Sequence, residues 1–433
     1  MKKIYLIFVG LLIMESLYSQ EIELHFPKLA GKKVTMLLKQ GTMLDTIFYS
    51  TLDKQGKALS IPSLPHKDYN GFVKLNFENG SGIDFIVSSN ESPTIYSKEE
   101  YPNGGTVIFS NSPENESLQQ WFMSQAIRGK KTDILKEAQF LYKEDNYFYP
   151  QLVNEIQNLN QEQLRFVDSL NLSPLYASKF IQFYNYLNND ITSLLYADSA
   201  KIEKTRAFVK DSLDVDYLFT SGLWFETLNG LLVIYDNGTP YHKDFIKDME
   251  SLLKRCKYDE TYIALSENLF TICETLGWND LEEQLAHFLI NHERIKNPIG
   301  KLQVLMNLYR LTKGSKIPNI TQGELPKGKL LIIFYQNGCS NCDREMEILK
   351  SNYNTIRKKG YEVVSIAADI DQEEYQKSSD LFPWKNKYCD FRGFASPDFK
   401  NYGVIGTPTY YVVNEKGVIQ GRYARLQDTE LLK

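Results

Sequence analysis

The spacing of apolar residues changes twice along this chain, and the two changes predict a multidomain protein. It should have an N-terminal all-β, sandwich-like domain, a central all-α region and a C-terminal α/β domain. Three observations carry this. Short alternating stretches separated by turn residues fill the first hundred positions, long segments with helical spacing follow, and the last hundred positions open on an apolar run bare of polar residues. The expected boundaries are residues 1–19 for a signal peptide, 20–111 for the β-rich domain, 112–311 for the helical region, 312–329 for a linker and 330–433 for the α/β domain. With 433 residues the chain is long enough for two or three cores.

The opening MKKIYLIFVGLLIMESLYSQ has two lysines, an apolar run from Ile4 to Met14 and small or polar residues ending at Ser19-Gln20. This is the pattern of a secretory signal peptide, and the run is shorter than the roughly 20 residues a spanning helix needs. Export with cleavage near Ser19 is expected, which makes the protein periplasmic, not membrane-spanning, and resident where disulfides persist. The first cysteine is Cys256, so a lipid on a processed N-terminal cysteine is not expected. A formal net charge of -5 and the lack of a long basic run argue against nucleic acid as a partner.

In the β-rich domain, Val73, Leu75 and Phe77, then Ile83, Phe85 and Val87, alternate with polar residues. That is the period of half-buried strands, and antiparallel pairing is expected. The helical region starts at SPENESLQQWF, where Ser112 is a suitable cap and Pro113 suits a first turn. HKDFIKDMESLLKRC and ETYIALSENLFTIC read as consecutive helices turning near Tyr258-Asp259. That places Cys256 and Cys273 roughly 20 Å apart at 1.5 Å per residue, beyond the reach of a disulfide. Both are expected to be buried thiols with no bridge between them, and Cys389 the odd one out. His287 and His292 lack the HExxH spacing that puts two ligands on one helical face.

The C-terminal domain reads strand, helix, strand, helix, hairpin. Leu330 to Tyr335 is a strand buried on both faces, and SNCDREMEILKSNYNTIRKKG a helix ending at Gly360 with basic residues in its last turn. YEVVSIAA is a second buried strand, followed by an acidic helix near Asp371 to Ser378. YYVVN, the turn EKG and VIQGRY close as a hairpin. Cys339-Ser340-Asn341-Cys342 sits at the first strand-to-helix junction, Glu345 lies three residues further on, and Gly406-Thr407-Pro408 precedes the hairpin.

These four features together resemble the thioredoxin fold, and specifically the exported TlpA-like thioredoxins of bacterial periplasms. More loosely, Glu21 to Trp121 resembles the β-rich domain found fused to them, including a SPEN-like helix start. Gly338 and Asn341 replace the family's usual Trp and Pro around the cysteines. Ile333 stands where thioredoxin has a buried acid, and Glu347 where it has a helix-kinking proline. These departures bear on the redox potential rather than on the fold.

The chemistry also follows from the residues. A thiolate is the attacking species, and unpaired N–H groups and the positive dipole end at a helix N-terminus favour it. Cys339 has that position. Cys342, one turn in, can close a disulfide with it while being less open to attack from outside, which makes Cys339 the nucleophile and Cys342 the resolving thiol. Glu345 can share the face of Cys342 and accept its proton. Thr407-Pro408 is a candidate cis peptide, since only proline makes that isomer cheap. In the fold it would lie against the pair and leave the Thr407 backbone free to bind a substrate strand. A structural zinc site needs about four ligands, and this domain has one cysteine besides the pair and no histidine.

The sequence thus points to a periplasmic thiol-disulfide oxidoreductase without metal or cofactor. Its partners would be protein thiols and disulfides and an upstream electron donor. The alternative is a non-catalytic binding or scaffold protein that keeps the fold.

Overall fold

The computed structural model describes residues 21 to 433 apart from Lys67; the expected signal peptide lies outside the described residues. Close contacts divide the chain into two units, one ending at His242 and the other running from Lys243 to Lys433.

The first unit begins with eight strands: β1 (Ile22–His25), β2 (Lys33–Gln40), β3 (Met43–Thr51), β4 (Lys57–Ser60), β5 (Asn70–Phe77), β6 (Gly82–Ser88), β7 (Thr94–Tyr96) and β8 (Ile108–Ser110). They form two four-stranded sheets, ordered β4-β1-β7-β8 and β3-β2-β5-β6. The inward residues of both, among them Leu24 and Ile95 from one and Met36, Leu75 and Phe85 from the other, make a shared core. This is the sandwich-like domain that the alternation predicts. One ladder departs from the antiparallel expectation, because β1 pairs with β7 in parallel. Parallel neighbours need a long crossover, and here five other strands lie between them in sequence, which local periodicity does not register.

Six helices follow: α1 (Pro113–Leu141), α2 (Tyr149–Asn171), α3 (Tyr176–Tyr186), α4 (Ser199–Asp211), α5 (Val215–Thr220) and α6 (Trp224–Leu231). Phe72 and Ile86, on the outer face of their sheet, pack with Leu118, Trp121, Phe180 and Ile181 from the helices. The SPEN stretch ties these layers together. Ser112 caps α1, its hydroxyl accepting from Asn115 N at 3.4 Å and donating to Glu91 Oε2 at 2.6 Å. The Glu114 carboxylate accepts the Tyr176 and Ala177 N–H groups at the start of α3, at 2.9 and 2.6 Å. The Asn115 amide meets both the N–H and the C=O of Ile86 on edge strand β6, each at 2.7 Å. A single side chain therefore stands in for a missing neighbouring strand.

The second unit holds α7 (Phe245–Arg255), α8 (Asp259–Leu276), α9 (Asn279–His292) and α10 (Gly300–Arg310), then β9 (Lys329–Tyr335), α11 (Ser340–Lys358), β10 (Tyr361–Ala367), α12 (Gln372–Ser379), β11 (Asn386–Tyr388), α13 (Pro397–Asn401), β12 (Thr409–Val413) and β13 (Ile419–Tyr423). Cys256 ends α7 and Cys273 lies within α8; both are buried thiols, and burial pushes Cys273 up to about 12. Helix α10 docks on α13 through Asn307 Nδ2 to Lys400 O and Gln303 Nε2 to Asn401 Oδ1, both 3.1 Å. The approach is close enough that a Cβ on Gly403 would fall 2.2 Å from Leu308 N. Residues 312–329 are fastened to the same domain: Ile317 N donates to Gly417 O at 3.0 Å, Ile320 is buried, and Thr321 N donates to Asp398 Oδ1 at 2.7 Å.

The sheet order is β11-β10-β9-β12-β13, with β9, β10 and β11 parallel and β12 and β13 antiparallel. Central strand β9 explains the bare apolar run. Leu331, Ile333 and Tyr335 enter the core on one face, and Leu330, Ile332 and Phe334 the core on the other. Burying each such side chain is worth about 1.5–3 kcal/mol, so this strand is well fixed and the residues that follow it start from a rigid base. Among the described residues, no helix is long and apolar enough to cross a membrane.

Candidate functional site

The loop that leaves β9 is short, and glycine turns it. Gly338 has φ +73°, the left-handed region that favours glycine, and open space lies around its missing Cβ. Conformation, not crowding, selects glycine here. Cys339 is then the N-cap of α11, with extended φ −89° and ψ 113°, and its carbonyl accepts from Asp343 N at 2.9 Å.

The two thiols sit in opposite surroundings. Cys339 is half-buried, and its thiol lies below its ordinary range. The Cys342 N–H is the largest cause, followed by the Cys342 side chain; the Asn341 N–H adds to them and Asp343 opposes. Cys342 is wholly buried, and desolvation pushes it up to about 11, although the Thr407 hydroxyl and the Gln336 N–H both bond its sulfur. The half-buried sulfur is therefore the more readily ionised of the two, and the sheltered sulfur holds its proton more tightly.

Glu345 lies one turn beyond Cys342 and is buried. Its Oε2 accepts from Leu426 N at 2.8 Å and from the Tyr410 hydroxyl at 3.2 Å. Burial first, then Glu345 and then Cys342, hold the Tyr410 phenol far above its ordinary value. The Thr407-Pro408 peptide is cis, and the Thr407 side chain reaches the buried sulfur. All five residues that the sequence singles out, Cys339, Cys342, Glu345, Thr407 and Pro408, thus belong to one neighbourhood, with Glu345 linked to it through Tyr410.

Three further residues of this neighbourhood lie outside the sequence expectation. Tyr410 reads in the sequence only as a strand residue. Asn337 and Asp369 carry no local motif, yet the buried Asp369 carboxylate accepts from Asn337 N at 2.9 Å and from Asn337 Nδ2. Burial raises its pKa, more than these two bonds lower it. Asp369 does have one sequence signal: it follows a buried parallel strand, and ligand and catalytic groups gather at the carboxyl ends of such strands. Cys389, one residue past β11, donates from its sulfur to Asp369 O at 3.5 Å and is raised by burial.

Residues 328–419 match the thioredoxin-like family. Two proteins called thiol-disulfide oxidoreductase ResA, from Bacillus thuringiensis subsp. konkukian and from Bacillus cereus, are each 29% identical over 115 residues, which is 25% of this chain. The chain spans 64% of the length of those relatives. A solved thioredoxin domain of a thiol-disulfide oxidoreductase from Bacteroides vulgatus is 25% identical, covers 27% of this chain and 92% of its own, and has a TM-score of 0.25. The C-terminal domain is thioredoxin-like, as the resemblance implied, and a β-rich domain and a helical region precede it in sequence.

Proposed function

We propose that the protein is a periplasmic thiol-disulfide oxidoreductase that exchanges disulfides with protein substrates through Cys339 and Cys342. The observation that carries this reading is the contrast between the two sulfurs. One is half-exposed and favoured as a thiolate by backbone N–H groups, and the other is buried and pushed up to about 11. A structural disulfide has no use for such a difference, whereas exchange needs an attacker and a sheltered resolver.

The steps balance as follows. The Cys339 thiolate attacks one sulfur of a substrate disulfide, forming a mixed disulfide and releasing the other substrate sulfur as a thiolate, which takes up a proton. Cys342 then gives up its proton and attacks the Cys339 sulfur. The second substrate sulfur leaves, the substrate is reduced and the pair is oxidised. Glu345, beside Tyr410, accepts the Cys342 proton. The Thr407 backbone, next to the cis Pro408, binds the substrate strand. A dithiol electron donor restores the reduced pair, and the relative potentials of donor and substrate set the direction. The signal-peptide pattern at Met1 to Gln20 supports export, and the mature chain should begin near Gln20 or Glu21.

Single-cysteine variants test the assignment. Cys342→Ser should accumulate mixed disulfides with partner proteins in cells lysed under thiol-blocking conditions, because nothing resolves them. Cys339→Ser should form none. Glu345→Gln should form adducts at the normal rate and resolve them slowly. Equal inertness of both cysteine variants beside an active wild type would remove the attacker and resolver roles, and an inactive wild type would favour a scaffold.

A further inference from the structure

The residues just before Cys339 are held by a carboxylate from the segment that leaves a different strand. Asp369 lies two residues beyond β10, which runs parallel to β9, so its side chain and the 336–338 loop emerge at the same edge of the sheet. It is 8% exposed. The chain is fixed on either side of its Cα: the N–H of Ala368, the residue before, donates to Tyr335 O at 2.8 Å, and the Cys389 sulfur donates to Asp369 O at 3.5 Å. From this base Oδ1 accepts the Asn337 backbone N–H at 2.9 Å and Oδ2 the Asn337 side-chain amide. Both oxygens are committed to one residue, two positions before the reactive sulfur, and only the glycine turn at Gly338 separates them.

We propose that Asp369 is a positioning residue for thiol-disulfide exchange. By gripping Asn337 through its backbone and side chain together, it fixes the turn that places Cys339 at the N-terminus of α11, where the first-turn N–H groups lie. This rests on the reading of Cys339 as the attacking thiol. A group bonded in this way acts through geometry, because N–H donation to a thiolate falls off steeply with distance and angle. Its charge acts in the opposite direction: a carboxylate nearby would raise a thiol. Asp343 has that effect on Cys339.

The two effects can be separated by experiment. The reduced full-length protein is alkylated with iodoacetamide across a pH series, and modification of the peptide carrying Cys339 is followed by mass. The wild-type midpoint should lie below the roughly 8.5 of an ordinary thiol. Asp369→Ala should raise it by about one pH unit, a tenfold loss of thiolate at any pH below both midpoints. Asp369→Asn, which keeps one accepting oxygen, should raise it less. A change of fold stability alone would not move the midpoint, and loss of charge alone would lower it equally in both variants. A depressed wild-type midpoint that Asp369→Ala leaves in place, or lowers, overturns the positioning role alone. A wild-type midpoint in the ordinary range removes the attacking-thiol reading and this one with it. Should Asp369→Ala fail to fold, Asn337→Ala decides, since it removes one of the two donors on a half-buried residue. A smaller upward shift supports the role, and an unmoved midpoint overturns it.

Discussion

Two four-residue stretches, Ser112 to Asn115 and Cys339 to Cys342, do the same local job at the start of α1 and of α11, and the chain uses them for opposite ends. Each supplies an N-cap and the first turn of a long helix. In the first stretch, each side chain able to hydrogen-bond is committed inside the fold: Ser112 to Glu91 and Asn115, Glu114 to α3, Asn115 to the edge of β6. In the second, the N-cap residue carries a half-exposed sulfur that makes no side-chain cap hydrogen bond, and the N–H groups of the first turn favour its ionised form. A helix N-terminus presents the same orphan donors in both places. Pairing them with a buried internal acceptor stabilises a layer, and leaving them beside a half-exposed thiol lowers its pKa.

Exchanging the two caps should break this contrast most sharply. Cys339→Ser should abolish exchange in an insulin-reduction assay while leaving the unfolding midpoint unchanged or higher, since serine is the better cap by about 1 kcal/mol. Ser112→Cys should do the reverse: it should lose about 1–2 kcal/mol in urea unfolding and leave exchange intact.

The pH dependence of alkylation sharpens the comparison within the second stretch. With its thiol at about 11, Cys342 is about one part in a thousand thiolate at pH 8. Cys339, lowered rather than raised, should be modified in large excess there. Both rates rise with pH, but the Cys339 curve should level off below the ordinary thiol range and the Cys342 curve keep rising toward pH 11. Coincident curves would erase the distinction between the two sulfurs.

Next in size is Asn115→Ala, which leaves the N–H and C=O of Ile86 without partners in a buried setting. At about 1–3 kcal/mol for each orphaned group, the urea midpoint of the first unit should fall clearly, with the Cys339 alkylation midpoint unmoved. A loss below about 0.5 kcal/mol would mean that water replaces the amide and that this stretch is less committed than its geometry implies. The smallest expected effect is Gly338→Ala. It forces a Cβ into the left-handed region at φ +73° and should cost about 1–2 kcal/mol. Because open space surrounds that position, the cost should be purely conformational.

Local features of the site were legible and distant ones were not. The pair at a strand-to-helix junction, the helix that follows it, Glu345 on the next turn and Thr407-Pro408 before the hairpin all follow from spacings of a few residues. The partners that set their chemistry come from far away. Leu426, which holds Glu345, is 81 positions on, and Asp369, which holds Asn337, is 32. The same limit applies in the first unit: SPEN could be read as a cap, but its reach to Ile86, 29 positions back, and to Ala177, 63 on, could not.

By itself the sequence determined the order of the three structural classes, the place of the cysteine pair at a strand-to-helix junction, and the strand buried on both faces. Each of these is written in a period or a neighbour relation that survives in one dimension. Only the tertiary structure decided that β1 and β7 pair in parallel, that residues 312–329 lie fastened to the last domain, that Tyr410 bonds Glu345, and that Asp369 grips the loop before Cys339. Those contacts depend on where the chain returns after long excursions. Many registers satisfy the same apolar pattern, and the choice among them falls to the packing of whole layers and to buried polar groups that must each find a partner.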